Sequence, residues 1–145
     1  MLPPQYSRRI LLGCWMALSS VSAAYYKGVC SGNYDCLICT GSVLFTSINY
    51  WRHAVDGWRR KMDMLAAFVA SCYQLGYLSS RMPGWGQPAY LAAWGVGIGC
   101  YLTARSFGKR GDYNTSSKWH VMLHVFQNIA NCLLYDGLGC NLVGW

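Results

Sequence analysis

Two histidines, His120 and His124, lie four residues apart near the start of the last apolar stretch of the chain. Residues with this spacing project from the same face of an α-helix, one turn apart. Imidazole is a common zinc ligand and a common general acid or base. The pair therefore predicts a site at which a metal is held or a proton is moved.

Other residues could complete such a site. Ser47 lies near the end of an earlier apolar stretch, Asp63 lies at the start of the next one, and His53 lies in the loop between them. A carboxylate can orient a water molecule or accept its proton, and a hydroxyl can hydrogen-bond the carbonyl group of a substrate. We take Ser47 and Asp63 as candidate catalytic residues, and His120, His124 and His53 as candidate zinc ligands.

The elements that must position these residues are low-charge apolar stretches. The chain is 54% apolar and only 12% charged, about half the charge of a typical soluble protein. Each stretch is close to the roughly 17–25 residues that cross a bilayer as a helix. The predicted fold is all-α, a single polytopic transmembrane helix bundle over residues 1–145. Its five or so short spanning helices are expected at residues 10–26, 36–51, 62–79, 88–104 and 119–138.

The basic residues predict an orientation for this bundle. Ten of the twelve Lys and Arg residues lie in the N-terminal arm, the second loop and the fourth loop, and only Lys27 and Arg81 lie elsewhere. Because basic loops stay on the inner side, we expect an integral membrane protein with its N-terminus inside and its C-terminus outside. The sequence does not identify the organelle. Topology and contact with membrane lipids then explain the net charge of +7, which does not point to nucleic acid.

An alternative applies to residues 1–23. An arginine pair, a short apolar segment and small residues up to Ala23 also fit a secretory signal peptide. Cleavage after Ala23 would leave four spanning helices and would not change the orientation of the rest.

Polar residues recur at helical spacing inside the apolar stretches. Lipid does not solvate such groups, so they should face one another inside the bundle. Because successive spans alternate in direction, Ser47, Asp63 and the histidine pair are all expected at the inner ends of their helices. The polar face of the last stretch consists of His120, His124, Asn128, Asn131 and Tyr135.

Three short motifs stand in a fixed order along the chain. Ser47-Ile-Asn-Tyr-Trp51 ends one stretch, Asp63 opens the next, and Ser116-Ser-Lys-Trp-His120 or the His120/His124 pair begins the last. This order resembles the membrane hydrolase superfamily of alkaline ceramidases and of the progestin and adiponectin receptors. Its pattern is Ser-x-x-x-His, then Asp, then His-x-x-x-His, with the histidines holding zinc.

The resemblance implies a zinc-dependent hydrolase that acts on a lipid amide or ester. It also implies more ligands than this chain supplies. Trp51 stands at the place of the first zinc histidine, and Ser116 stands at the second when His120 is aligned with the family's Trp-His dipeptide. The superfamily usually has about seven spans where this chain has room for five, so a relative that has lost its metal is a further alternative.

A second class of function is a non-catalytic membrane protein or an accessory subunit of a larger membrane complex. In that case the polar residues only hold the helices together, or the histidines bind a cofactor such as haem, for which imidazole is a common ligand. Gly95 and Gly99 form a GxxxG motif, which lets helices approach closely. We expect protein partners, if there are any, to pack on this helix face.

Overall fold

Six α-helices make up most of the part of the chain that the structure, a computed structural model, describes, namely residues 3–32 and 34–138. A π-helical turn, Gln74–Leu78, and a 3-10 turn, Ser79–Arg81, extend the fourth of them. These residues contain no β-strand, so the all-α prediction is confirmed. The helices are α1 Pro4–Trp15, α2 Leu18–Ser31, α3 Asp35–Trp51, α4 Trp58–Tyr73, α5 Gly86–Lys109 and α6 Tyr113–Gly137.

The predictions of a polytopic transmembrane bundle and of an integral membrane location, with the N-terminus inside and the C-terminus outside, are wrong. Within the described ranges, no helix is both long enough and apolar enough to cross a bilayer. Helices α1 to α4 have 12 to 17 residues, fewer than the roughly 20 that a span needs. Helices α5 and α6 have 24 and 25 residues, but glycine, asparagine, serine and histidine lower their hydropathy. Low charge had been taken for high apolarity.

Helix α6 lies at the centre of the packing. It contacts α5, α1 and α2, while α3 contacts α1, α2 and α4. Helices α5 and α6 form an antiparallel pair joined by a tight turn in which Gly111 has a φ of +81°, a conformation that favours glycine. The side chain of Asp112 then accepts a hydrogen bond from the backbone N–H of Thr115 and caps the start of α6. The first turns of α6, which carry His120, are thereby fixed against the end of α5.

The first predicted helix is in fact two helices. The break lies at Met16 and Ala17, between α1 and α2. Asn128 of α6 accepts a hydrogen bond from the backbone N–H of Ser20 at 3.1 Å and donates one to the Oγ of Ser19 at 2.7 Å. A side chain from another helix thus caps the free N–H groups at the start of α2. This contact explains why α1 and α2 separate at a point where no proline interrupts the chain.

Close helix approach in α5 occurs at a different glycine from the predicted pair. A Cβ added to Gly97 would lie 3.1 Å from the side-chain nitrogen of Gln127 on α6, whereas one added to Gly95 or Gly99 would meet no atom within 4 Å. Gly97 is therefore the residue that lets α5 and α6 pack together. The Gly95/Gly99 face is exposed, and its role toward a partner stays a prediction.

Candidate functional site

Ser47 and Asp63 are in direct contact. The Oγ of Ser47, near the end of α3, donates a hydrogen bond to Oδ1 of Asp63, in the second turn of α4, at 2.5 Å. Thr46 donates to the same oxygen at 3.4 Å. Burial raises the pKa of Asp63, and the hydrogen bonds from Ser47 and Thr46 oppose that rise. The result is a half-buried carboxyl group that keeps its proton to a higher pH than an exposed aspartate.

The two histidines of α6 lie side by side and are surrounded by protein. Their ring centroids are 5.2 Å apart. Burial lowers the pKa of His120 to about 3, with a smaller contribution from His124, and burial alone lowers the pKa of His124 to about 4. Both imidazoles are therefore neutral at neutral pH, and each carries one N–H donor and one acceptor nitrogen.

The structure brings the histidines close to the Ser47–Asp63 pair. Trp51, one helical turn after Ser47, packs edge-on against His120 with ring centroids 4.9 Å apart. On α1, the Sγ of Cys14 lies 3.6 Å from Nε2 of His124. Burial raises the pKa of the Cys14 thiol to about 12, and the negative charge of Asp63 adds to that rise. The two pairs thus share one end of the bundle, with groups from α1, α3, α4 and α6.

His53 lies apart from this group. It is exposed in the loop after α3, and its backbone N–H donates to the carbonyl oxygen of Tyr50. The structure therefore places two of the three predicted zinc ligands together and leaves the third in the loop.

These residues do not fit a catalytic zinc site, which needs three protein ligands. Among the described residues, no three His, Cys, Asp or Glu side chains are grouped so that they could hold a metal ion. The indole of Trp51 offers no lone pair for a metal, and the Oγ of Ser116 is engaged as a donor to the carbonyl oxygen of Ala104 at 2.8 Å. Zinc stays a prediction of the resemblance, and no chemical step below depends on it.

A cleft opens beside His120. It has a volume of about 420 Å³, within the roughly 300–1,000 Å³ of small-molecule sites. Sequence reasoning missed this cleft, although one signal was available: positions 101, 105 and 109 of α5 recur every four residues and so share a face. Its walls include Tyr50 and Trp51 of α3, Tyr101, Arg105 and Lys109 of α5, and His120 of α6.

The rest of the polar face of α6 is engaged in holding helices together. The hydroxyl of Tyr135 is hydrogen-bonded to the hydroxyl of Thr40 on α3 and accepts from Nε2 of Gln74 at 3.1 Å. Asn128 caps α2. Asn131 differs, because its buried Oδ1 has no hydrogen-bond partner in the described structure. The face that the sequence presents as one stripe therefore divides into a histidine end and a structural end.

Comparison of the chain with models of known families, with curated proteins and with solved structures yields no match. The resemblance to the ceramidase-like superfamily therefore stays a prediction, and function is argued below from the site alone.

Proposed function

We propose that the Ser47–Asp63 pair and the two neutral histidines form an acid–base site that hydrolyses an amide or an ester. The observation that carries this proposal is the short hydrogen bond that holds a carboxyl group of raised pKa beside two neutral imidazoles. Paired groups with opposite pKa shifts are typical of acid–base sites.

In this reaction Asp63 is the general base. Its carboxylate takes a proton from a water molecule as the water oxygen bonds to the substrate carbonyl carbon, and the carbonyl oxygen becomes an oxyanion. Protonated Asp63 then returns the proton to the leaving oxygen or nitrogen as the bond to carbon breaks. Such proton transfer typically contributes about 10²–10⁴-fold to a rate.

The other groups position and stabilise. Ser47 fixes the carboxylate through its hydrogen bond and is a positioning residue. Neutral His120, which forms a wall of the cleft, can donate its N–H to the developing oxyanion, and neutral imidazole can serve as such a donor. His124 lies behind His120, and its contact with Cys14 fixes its ring.

The test is hydrolysis of para-nitrophenyl acetate by the full chain, followed by release of nitrophenolate. Asp63→Asn should lower kcat/KM by at least about a hundredfold, because it removes the base. Asp136→Asn, a change at an exposed position at the other end of α6, is the matched control and should leave the rate unchanged. Equal rates in both variants would overturn the assignment of Asp63.

The pH profile gives an independent readout. Since the carboxylate form is the base, kcat/KM should rise with pH through a midpoint above the ordinary aspartate value of 3.8. Ser47→Ala should move that midpoint upward, because the hydrogen bond from Ser47 lowers the pKa of Asp63. A purely structural role of Ser47 would change the rate at every pH without moving the midpoint.

A second candidate function is non-catalytic, with the polar groups serving only to hold the helices together. The hydrogen bonds of Tyr135 with Thr40 and Gln74 favour it, because they connect three elements and leave no polar atom for a substrate. In that case Asp63→Asn alters stability and no hydrolysis is found above the uncatalysed rate.

A further inference from the structure

We propose that the cleft beside His120 binds the phosphate group of a small molecule, with Arg105 and Lys109 holding the phosphate and the aromatic walls packing against the rest of the ligand. This inference does not rest on the proposed reaction, because it concerns binding and does not require Asp63.

The charges that line the cleft are unbalanced. Three basic residues and one acidic residue contribute to its walls. The acidic residue, Asp56, forms an ion pair with Arg60 four residues later. In the part of the chain that the structure describes, no carboxylate pairs with Arg105 or Lys109, and both are exposed. The cleft therefore presents two cations whose charge is free for a ligand.

The two cations are placed to act on one group. Arg105 and Lys109 are four residues apart on α5, which puts their stems about 5–6 Å apart on the same face. A guanidinium can hold two phosphate oxygens at once, and an ammonium adds a point charge with three donors. His120, being neutral, can add an N–H donor without repelling a cationic part of the ligand.

The surrounding field has the same sign. The antiparallel arrangement brings ten of the twelve basic residues to the end of the bundle that holds the cleft, and leaves Lys27 and Arg81 at the other end. A cleft inside such a region concentrates anions from solution. Aromatic rings of Trp51 and Tyr101 pack near His120, with centroids 4.9 and 6.3 Å from its ring. They offer apolar surface to the part of the ligand that carries no charge.

The competing explanation is that Arg105 and Lys109 only stabilise the C-terminal end of α5, where cations interact favourably with the helix dipole. That role needs the charge at the helix end but no cleft and no ligand. The two explanations differ in whether an anion binds at Trp51.

The test is a titration of the full chain with phenyl phosphate, monitored by the indole N–H resonance of Trp51, which Trp51→Phe identifies. We expect a saturable shift of this resonance. The double variant Arg105→Gln, Lys109→Gln should weaken binding by at least about tenfold, because it removes two charge-assisted contacts. The matched variant Arg52→Gln, Lys61→Gln removes the same charge from exposed positions outside the cleft and should change the affinity less than about threefold.

Further arms keep the outcome unambiguous. Arg105→Lys keeps the charge but not the planar fork, so it should weaken binding to an intermediate degree. Phenol, which lacks the phosphate, should not shift the Trp51 resonance at the same concentration. Asp63→Asn should still bind phenyl phosphate, which separates this inference from the proposed reaction. Equal weakening in the two double variants, or an equal shift with phenol, would overturn the proposal.

The phosphate could belong to a soluble molecule or to a lipid headgroup. Vesicles of phosphatidylcholine with phosphatidic acid, compared with phosphatidylcholine alone, separate these sources. Sedimentation with the former only, lost in Arg105→Gln, Lys109→Gln, assigns the site to a headgroup. Binding of phenyl phosphate without sedimentation assigns it to a soluble ligand.

Discussion

The Oγ of Ser47 lies 2.5 Å from Oδ1 of Asp63 and connects the end of α3 to the start of α4. Ser47→Ala should lower the free energy of unfolding at neutral pH by about 1.5–3 kcal/mol, the usual effect of losing a hydrogen bond to a charged group. Urea denaturation measures this. Ser42→Ala, on the exposed face of the same helix with only a local bond to the carbonyl of Cys39, should cost much less, and equal costs would contradict the argument.

The histidine pair should make the fold sensitive to acid. The pKa of each imidazole is 6.5 when unperturbed, and burial lowers it to about 3 in His120 and about 4 in His124. Between these values the unfolded chain binds protons that the folded chain does not, so stability is lost as the pH falls below about 6.5. By about pH 4 the loss approaches about 3 kcal/mol for each histidine.

Urea denaturation at a series of pH values between neutral and about pH 4 checks this expectation. His124→Gln should remove close to half of the pH dependence, because glutamine does not titrate. His53→Gln, at an exposed loop position, serves as the control and should leave the slope as it is in the unchanged chain. A slope unaffected by His124→Gln would show that other groups cause the acid sensitivity.

Asn128 should be more important to stability than its neighbour Asn131. Asn128→Ala removes the cap of α2 and should cost about 1–2 kcal/mol. Asn131→Ala removes an amide whose buried Oδ1 has no partner in the described structure, so it should cost little. Thermal unfolding of the two variants gives the comparison, and a larger effect of Asn131→Ala would contradict the capping role of Asn128.

Two buried tyrosines offer a second matched pair. Tyr135→Phe removes a hydroxyl bonded to Thr40 and Gln74 and should cost about 1–3 kcal/mol, because the buried partners are left unsatisfied. Tyr90→Phe removes a buried hydroxyl that has no partner in the described ranges. It should be neutral or stabilising in the same denaturation experiment. The reverse order of effects would show that the network around Tyr135 is not a stabilising one.

Thiol reactivity should follow burial. The seven cysteines that the structure describes are free thiols, and Cys140 lies outside the described residues. Burial raises the pKa of Cys14 and of Cys36 to about 12, so neither forms appreciable thiolate at pH 8. Cys72 is exposed. Iodoacetamide labelling followed by peptide mass spectrometry should modify Cys72 first, and early labelling of Cys14 would contradict its buried position.

The helices could be predicted from the sequence, because residues with helical periodicity mark them whatever surrounds the fold. The bilayer could not. Helix α6 has few charges, but serine, asparagine, glutamine and histidine leave it too polar for lipid. The break at Met16 was missed for a different reason: it depends on Asn128, a residue 108 positions from Ser20. Local sequence carries no signal of such a contact.

The candidate site was partly accessible to sequence reasoning. Helical spacing and the alternating direction of the helices led to Ser47, Asp63 and the histidine pair, and the structure places these residues at one end of the bundle. Spacing alone did not show that Cys14 contacts His124, because α1 enters the site only through tertiary packing. It also did not separate the histidines from Tyr135, which lies on the same face of α6 but bonds to other helices.

The contacts around the histidines also have a consequence for the order of folding. The α5–α6 pair joins neighbouring segments and closes a short loop, whereas the contact between Cys14 and His124 joins residues 110 positions apart. Loop-closure entropy rises with such separation, so long-range contacts form after local ones. We therefore expect the helical hairpin to appear early in refolding and the docking of α1 to be a late, rate-limiting event. Until α1 docks, both imidazoles are in contact with water and titrate as ordinary histidines, so the refolding rate itself should slow in mild acid.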